Sequence, residues 1–420
     1  MSDPLSQRRG SIQDLLAALN DTSRLCLCFV GLPARRKTFT AKKLSRYLNW
    51  ISVKTQLFED NFGEDEKDNN WHSHRIRRWR EALQPVGDFF ENGGAVAILD
   101  FGECSKAFRQ MVQFFCKHQQ SDVMFIESVI HDRSILEESI ADICQNCPTY
   151  THQPFDEARE RFLQYIAQKE RGYEGLSEDE GCSYLKIIDV GRQTVIHKVS
   201  NYLQSKIVYY LSNLRVRKRS IWLSRHGESE FNVAGRIGGN SNLSSRGHRY
   251  AKLLPDFVAK CVNESDELIV WTSSMKRTIQ TAQHIHYNKL EWKALDELNA
   301  GVCDGYTYEY VEDAFPDEAA ARNNDKFHYR YRGGESYMDV VNRLEPIIME
   351  LERQGNVMIV CHQAILRCIY GYYHNFSLED IPFIDMPLHT IIKLTPTAHN
   401  TLEERIVVPV PAVSTQRPRV

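Results

Sequence analysis

Short apolar runs alternate with stretches of helical spacing along most of this chain. Leu25–Val30 (LCLCFV) is continuously apolar and runs into Gly31-Leu32-Pro33, which predicts a buried strand leaving into a loop. Leu44, Tyr47 and Leu48 then recur at helical spacing within Thr38–Trp50. Strands follow at Val53–Phe58, Ala95–Asp100 (AVAILD), Val123–Glu127 (VMFIE) and Leu185–Val190 (LKIIDV). Helices are predicted at Arg75–Phe90 and over residues 105–117, 133–143, 155–171 and 196–212. The pattern restarts at Ser220, with strands at Ile221–Ser224, Leu268–Thr272 (LIVWT), Val357–Cys361 (VMIVC) and a last one at Thr390–Leu394. Helices are expected at Ser244–Lys260, Ser274–Ile285, 336–353 and Ala364–Tyr373. Apolar strands alternating with helices imply α/β domains, each a parallel sheet covered on both faces.

The chain has 420 residues, enough for two or three domains at roughly 150 residues each. The pattern divides it into a polar, mobile segment 1–22, an α/β domain 23–214, a second 215–404, and an irregular proline-bearing tail 405–420. Arg215–Arg219 (RVRKR) reads as an exposed basic connector. Hydrophobic residues make up 42% and charged residues 25%, so a fibre or a long disordered chain is excluded. The formal net charge of −3 gives no basic excess that would point to nucleic acid. No apolar stretch approaches the ~18–20 residues of a membrane span, and the N-terminus lacks a secretory apolar core. The 11 cysteines read as reduced thiols of a cytoplasmic protein. Neither Cys26/Cys28 nor Cys144/Cys147 is completed by further ligands into a zinc site.

The strongest chemical signal is Arg225-His226-Gly227-Glu228 at the end of a predicted strand, where ligands bind in such sheets. Asn232, Arg236-Ile237-Gly238-Gly239 and Leu243–Gly247 follow. Arg277 lies just after another strand, Glu297 precedes Ala300-Gly301, and His362 ends the strand Val357–Cys361. Two histidines, two arginines and a glutamate at successive strand ends can converge on one pocket. These residues resemble the histidine phosphatase (phosphoglycerate mutase-like) superfamily over 220–396. That resemblance implies attack on phosphorus by neutral His226, charge stabilisation by Arg225, Arg277 and His362, and proton transfer by Glu297. No metal is needed.

Gly31–Thr38 (GLPARRKT) nearly fits the phosphate-loop pattern GxxxxGK[ST] between a strand and a helix, but Arg36 occupies the second glycine's place. With FIESV, IIDVGR, RHGESEFN, WTSSMKRTIQTA, KALDELNAGVCD, YRYRGGESY and CHQAILRC, the chain over 23–404 resembles the bifunctional 6-phosphofructo-2-kinase/fructose-2,6-bisphosphatase family. The resemblance implies a nucleoside-kinase-like domain of the P-loop type, a C-terminal bisphosphatase, cytoplasmic control of glycolysis and gluconeogenesis, and a homodimer. It also implies that Arg225, Asn232, Gly238, Tyr308, Arg322, Lys326, Tyr337, Gln363 and Arg367 hold fructose 2,6-bisphosphate and its product fructose 6-phosphate.

The kinase half departs from the family pattern. Asp100-Phe101-Gly102-Glu103-Cys104-Ser105 stands where Asp-Ala-Thr-Asn-Thr-Thr is expected, and the carboxylates of Glu59–Asp68 replace a Tyr-Arg-Arg segment. Cys144 replaces a lysine, and Tyr165 and Lys169 replace an arginine and a tyrosine; Arg75 keeps one sugar-phosphate contact or belongs to a solvated basic face. Gly31, Lys37, Thr38 and Asp100 remain as a degenerate nucleotide site, so ATP and Mg²⁺ are cofactors only if that loop still binds them. A fructose-2,6-bisphosphatase with lost kinase activity leads three competitors: residual kinase activity, a histidine phosphatase for another phosphosugar, and a non-catalytic sugar-phosphate sensor. Arg8-Arg9-Gly10-Ser11 suits a basophilic protein kinase, making Ser11 a candidate phosphorylation site.

Overall fold

A computed structural model describes residues 24–59, 71–103, 105–147, 149–150, 152–215, 219–262, 267–397 and 400–416. Ser11, Cys104 and all but the first residue of Glu59–Asp68 lie outside them, as does the Arg75 side chain. The chain divides into two compact units, Met1–Leu214 and Arg215–Val420.

The first unit runs β1 (Arg24–Val30), α1 (Lys37–Trp50), β2 (Thr55–Glu59), α2 (Trp71–Glu91), β3 (Val96–Asp100), α3 (Lys106–His118), β4 (Ser121–Val129), α4 (Arg133–Asn146), α5 (Phe155–Glu170), β5 (Ser183–Ile188), β6 (Gln193–His197) and α6 (Tyr202–Asn213). The sheet order is β2-β3-β1-β4-β5-β6. Central strands β1 and β3 are buried almost throughout, which is why they read as unbroken apolar runs. Trp79 and Phe90 of α2 and Phe108 of α3 pack with Cys28 and Leu99 in one core. Each such side chain contributes about 1.5–3 kcal/mol by leaving water. The sheet is not wholly parallel, because β6 pairs antiparallel with β5. The stretch 196–212, expected as one helix, therefore begins inside a strand, and α6 starts only at Tyr202.

The second unit runs β7 (Ile221–Arg225), α7 (Glu230–Val233), α8 (Ser245–Cys261), β8 (Leu268–Thr272), α9 (Lys276–Ala282), β9 (Asn288–Glu291), α10 (Tyr308–Ala314), α11 (Pro316–Asn324), α12 (Tyr337–Arg353), β10 (Asn356–Cys361), α13 (Gln363–His374), β11 (Thr390–Pro396) and β12 (Thr401–Val407). Its order is β12-β11-β7-β10-β8-β9. Strands β7 to β10 are mutually parallel, whereas β11 pairs antiparallel with both β7 and β12. The sheet is again mixed, and Thr390–Leu394 is not its last strand. The chain past 404 continues in β12, and Val408 and Val410 are buried in the core with Tyr250 and Leu254, so an irregular tail does not begin at 405. Arg219 is not part of an exposed connector either. It is buried and donates to Glu352 Oε2 at 2.8 Å, while Tyr372 donates to Glu352 Oε1 at 2.9 Å. Among the described residues no helix is long and apolar enough to cross a membrane.

Candidate active site

Strands β7, β10 and β8 lie side by side and end at one edge, and that edge delivers the site. The Cα register pairs Arg225 with Cys361, so His226 and His362 emerge together, and His226 N–H donates to Cys361 O at 2.9 Å. Their ring centroids are 5.2 Å apart. His226 Nδ1 lies 2.8 Å from Gly227 O. A carbonyl can only accept, so Nδ1 carries the proton and Nε2 presents its lone pair. Burial, with Arg277 and Arg225 close by, holds the imidazole pKa well below its ordinary value. The ring is therefore neutral at neutral pH. Gly227 has to be glycine here: a Cβ would sit 2.7 Å from Gly247 O. His362 Nε2 is 2.7 Å from Ser273 Oγ, and its Nδ1 is buried without a hydrogen-bond partner.

Around the histidines the charge is positive. Arg225 is buried; it donates through one terminal nitrogen to Met386 O at 2.8 Å and Thr415 Oγ1 at 2.7 Å, and its Nε has no partner. Burial lowers its pKa to about 10, which leaves it charged. Arg277, in the first turn of α9, donates to Gly239 O at 2.5 Å. The loop that supplies this carbonyl is clamped by Asp304, whose Oδ1 accepts from Gly239 N–H at 2.8 Å. At Gly238, φ is 63° and a Cβ would overlap that same carboxylate. Asn232 Oδ1 accepts from Ser229 N–H at 3.0 Å, which leaves its NH₂ as the donor for the cavity. Glu297 faces the guanidinium groups; Oε1 accepts from Leu298 N–H at 3.0 Å and Ala364 N–H at 3.3 Å, so both bonds fall on one oxygen.

A second cationic cluster lines the same cavity of about 350 Å³. Arg322 Nε donates to Tyr331 Oη at 2.8 Å, and its guanidinium lies 5.3 Å from the centre of the Tyr308 ring. Lys326 Nζ donates to Pro382 O at 3.1 Å. Arg367 donates to Ile384 O at 2.7 Å, Tyr337 Oη at 3.1 Å and Gln416 Oε1 at 2.8 Å. Burial raises the Tyr337 pKa, so it stays a neutral phenol. Gln363 Nε2 is buried without a partner. An arrangement of this kind can hold a substrate with two separated phosphates.

The first unit keeps a phosphate loop between β1 and α1. Gly31 has φ 130°, and a Cβ there would meet Ser128 O at 2.5 Å. Arg36 adopts the left-handed conformation (φ 59°, ψ 21°) that a glycine would adopt freely. Its side chain turns onto α4, where Nε donates to Ser139 Oγ at 2.9 Å and a terminal nitrogen lies 3.6 Å from Glu138. Lys37 Nζ donates to Gly31 O and to Leu32 O at 3.2 Å. Thr38 Oγ1 donates to Asp100 Oδ2 at 2.5 Å. This donor set fits a nucleotide: Lys37 for phosphate oxygens, the Thr38 hydroxyl and Asp100 carboxylate for a hydrated Mg²⁺. Cys144 is buried with Tyr150 and Phe162, away from any cationic role.

Residues 13–218 match the family model described as 6-phosphofructo-2-kinase, and residues 221–407 match the histidine phosphatase superfamily (branch 1). A probable fructose-2,6-bisphosphatase of Schizosaccharomyces pombe is 57% identical over 94% of this chain and 97% of its own length. A fructose-2,6-bisphosphatase of Saccharomyces cerevisiae is 44% identical over 94% of this chain and 91% of its own. A 6-phosphofructo-2-kinase/fructose-2,6-bisphosphatase of Aquarana catesbeiana is 42% identical over 99% of this chain and 90% of its own. The chain belongs to the 6-phosphofructo-2-kinase/fructose-2,6-bisphosphatase family.

Within this family member, the candidates Arg225, His226, Asn232, Gly238, Arg277, Glu297, Tyr308, Arg322, Lys326, Tyr337, Gln363 and Arg367 all line one cavity. His362 is fully buried, its ring centroid 5.2 Å from that of His226. Gly31 with Lys37, and Thr38 with Asp100, pair in the kinase-like unit. Sequence reasoning missed Ser273, which orients His362, and the lining residues Tyr329, Tyr331, Ser414, Thr415 and Gln416. Tyr331 lies inside the YRYRGGESY string and could have been found there. Residues 414–416 carry no motif, and the prolines before them suggested irregular chain.

Proposed function

We propose that this chain hydrolyses the carbon-2 phosphate of fructose 2,6-bisphosphate to fructose 6-phosphate and inorganic phosphate. One observation carries the reading: the Nε2 lone pair of a buried, neutral His226 opens on a cavity that Arg322, Lys326 and Arg367 also line. A simple monoesterase has no use for that second cluster. In the first step Nε2 attacks phosphorus, the N–P bond forms and the bond from phosphorus to the carbon-2 oxygen breaks. Glu297 gives its proton to the departing oxygen. Arg225, Arg277, Asn232 and His362 hold the oxygens of the phosphoryl group as charge shifts onto them. In the second step the Glu297 carboxylate takes a proton from water, whose oxygen attacks phosphorus. The N–P bond breaks, and neutral His226 and inorganic phosphate are regenerated.

The kinase-like unit, in this reading, retains a nucleotide-phosphate site but not transfer to sugar. The family resemblance supports a cytoplasmic homodimer, and the Arg8-Arg9-Gly10-Ser11 pattern supports Ser11 as the target of a basophilic protein kinase. The deciding experiment incubates pure protein with fructose 2,6-bisphosphate and a panel of other phosphosugars and measures phosphate release. Fastest release from fructose 2,6-bisphosphate is expected; faster release from another sugar, or none, overturns the reading.

A further inference from the structure

Beyond β12 the chain folds back within the second unit and reaches the cavity, which Ser414, Thr415 and Gln416 help to line. Val408 N–H donates to His389 O at 3.0 Å, and Val413 N–H donates to Glu228 Oε2 at 2.9 Å. Glu228 is fully buried, and its other bonds come from Ser244 at 2.6 Å and Arg246 at 2.8 and 2.7 Å, so the anchor is rigid. Two residues further on, Thr415 Oγ1 accepts from Arg225 at 2.7 Å. Its neighbour Gln416 accepts from Arg367 at 2.8 Å and donates to Phe383 O at 3.0 Å. One short segment thus touches both cationic clusters, and each side chain uses an acceptor to fix a guanidinium.

A guanidinium is planar, so fixing one nitrogen aims the others. Met386 O and Thr415 Oγ1 both accept from the same terminal nitrogen of Arg225, while its buried Nε has no partner. That edge is the one available to phosphoryl oxygens. We propose that Thr415 and Gln416 are positioning residues: Thr415 sets Arg225 at the transferred phosphoryl group, and Gln416 sets Arg367 at the second phosphate. The assignment of phosphates rests on the function proposed above.

The two cationic clusters predict different kinetic signatures. Arg225 acts on charge that develops during transfer, so Thr415→Val lowers kcat on the order of 10- to 100-fold with little change in KM. Arg367 acts on a phosphate that does not react, so Gln416→Leu raises KM about 10-fold and spares kcat. Thr415→Ser keeps the hydroxyl and restores kcat. With p-nitrophenyl phosphate, which lacks a second phosphate, only Thr415→Val is impaired. Equal kcat in Thr415→Val and Thr415→Ser, an unchanged KM in Gln416→Leu, or parallel losses of kcat and KM with a lowered melting temperature overturn the proposal. Binding of orthovanadate, which mimics the pentacoordinate phosphoryl group in transfer, separates this from failure of the functional reading when followed by calorimetry. If the wild-type protein does not hydrolyse fructose 2,6-bisphosphate, weaker vanadate binding in Thr415→Val than in wild type and Thr415→Ser still supports the positioning role. Equal binding in all three overturns it.

Discussion

His226 has to satisfy two demands that pull against each other. A nucleophile must be buried among cations to meet a phosphate, and it must also keep its lone pair. Burial and the two neighbouring arginines meet both, because each disfavours the imidazolium. His226→Ala is expected to lower turnover at least about 10³-fold while circular dichroism stays unchanged. Rapid-quench labelling with substrate phosphorylated at carbon 2 should trap acid-labile phosphate on His226; label on another residue contradicts the mechanism. The same burial has a thermodynamic counterpart. His226, His362 and His389 all have folded-state pKa values below the ordinary 6.5. The unfolded chain then binds more protons at mildly acid pH, so stability is full above 6.5 and is lost as pH falls through the folded values. Calorimetry between about pH 7.5 and 5.5 should show a falling melting temperature, with a shallower slope in His226→Asn. An equal slope in both proteins removes the linkage.

At the scale of elements, the entry to β7 is fixed by an ion pair that no pattern announces. Arg219 meets Glu352 of α12 where both are almost wholly buried. Glu352→Ala leaves the buried guanidinium with the carbonyls of Leu351 and Gln354 but without its carboxylate, and is expected to cost about 3–5 kcal/mol, read from the shift of a urea unfolding curve. A shift within about 1 kcal/mol would mean that the pair is solvated. The comparison of sequence with structure follows the same physics. Leu268–Thr272 was legible to the residue, because a strand flanked on both sides is apolar throughout. Edge strand β9, Asn288–Glu291, is exposed at all positions, and β12 is exposed at most of its own. Their cohesion lies in backbone hydrogen bonds, which leave no hydrophobic trace. Arg225-His226-Gly227 was legible because its chemistry is local. Thr415 and Gln416 were not, because only their distant partners give them meaning.

At the scale of the molecule, the two units have kept different parts of their machinery. The phosphatase cavity gathers every residue expected of it but His362, whose ring lies 5.2 Å from the nucleophile's and whose buried Nδ1 has no hydrogen-bond partner. The kinase-like unit has kept the shape of its loop and has committed Arg36 to Ser139 and Glu138. Phosphoryl transfer needs positioned charge at both substrates, yet the sugar side offers Gly102, and on the nucleotide side a lysine is replaced by a Cys144 locked in a core. With ATP, Mg²⁺ and fructose 6-phosphate, the His226→Ala variant, which cannot destroy the product, should accumulate no fructose 2,6-bisphosphate at ordinary kinase rates. Adding Arg36→Gly should not change that; accumulation in either variant would show that the sugar site is intact. The strand order of the second unit also bears on how it assembles. Strand β7 pairs with β10 and β11, so Ile221 waits for Val357 and Leu394. Contacts this far apart in sequence close large loops and slow folding. His226 therefore acquires its surroundings late, after nearly the whole unit has been synthesised. A nascent or partly folded chain presents the RHG motif without its pocket, and phosphatase activity should appear in refolding only with the final cooperative phase.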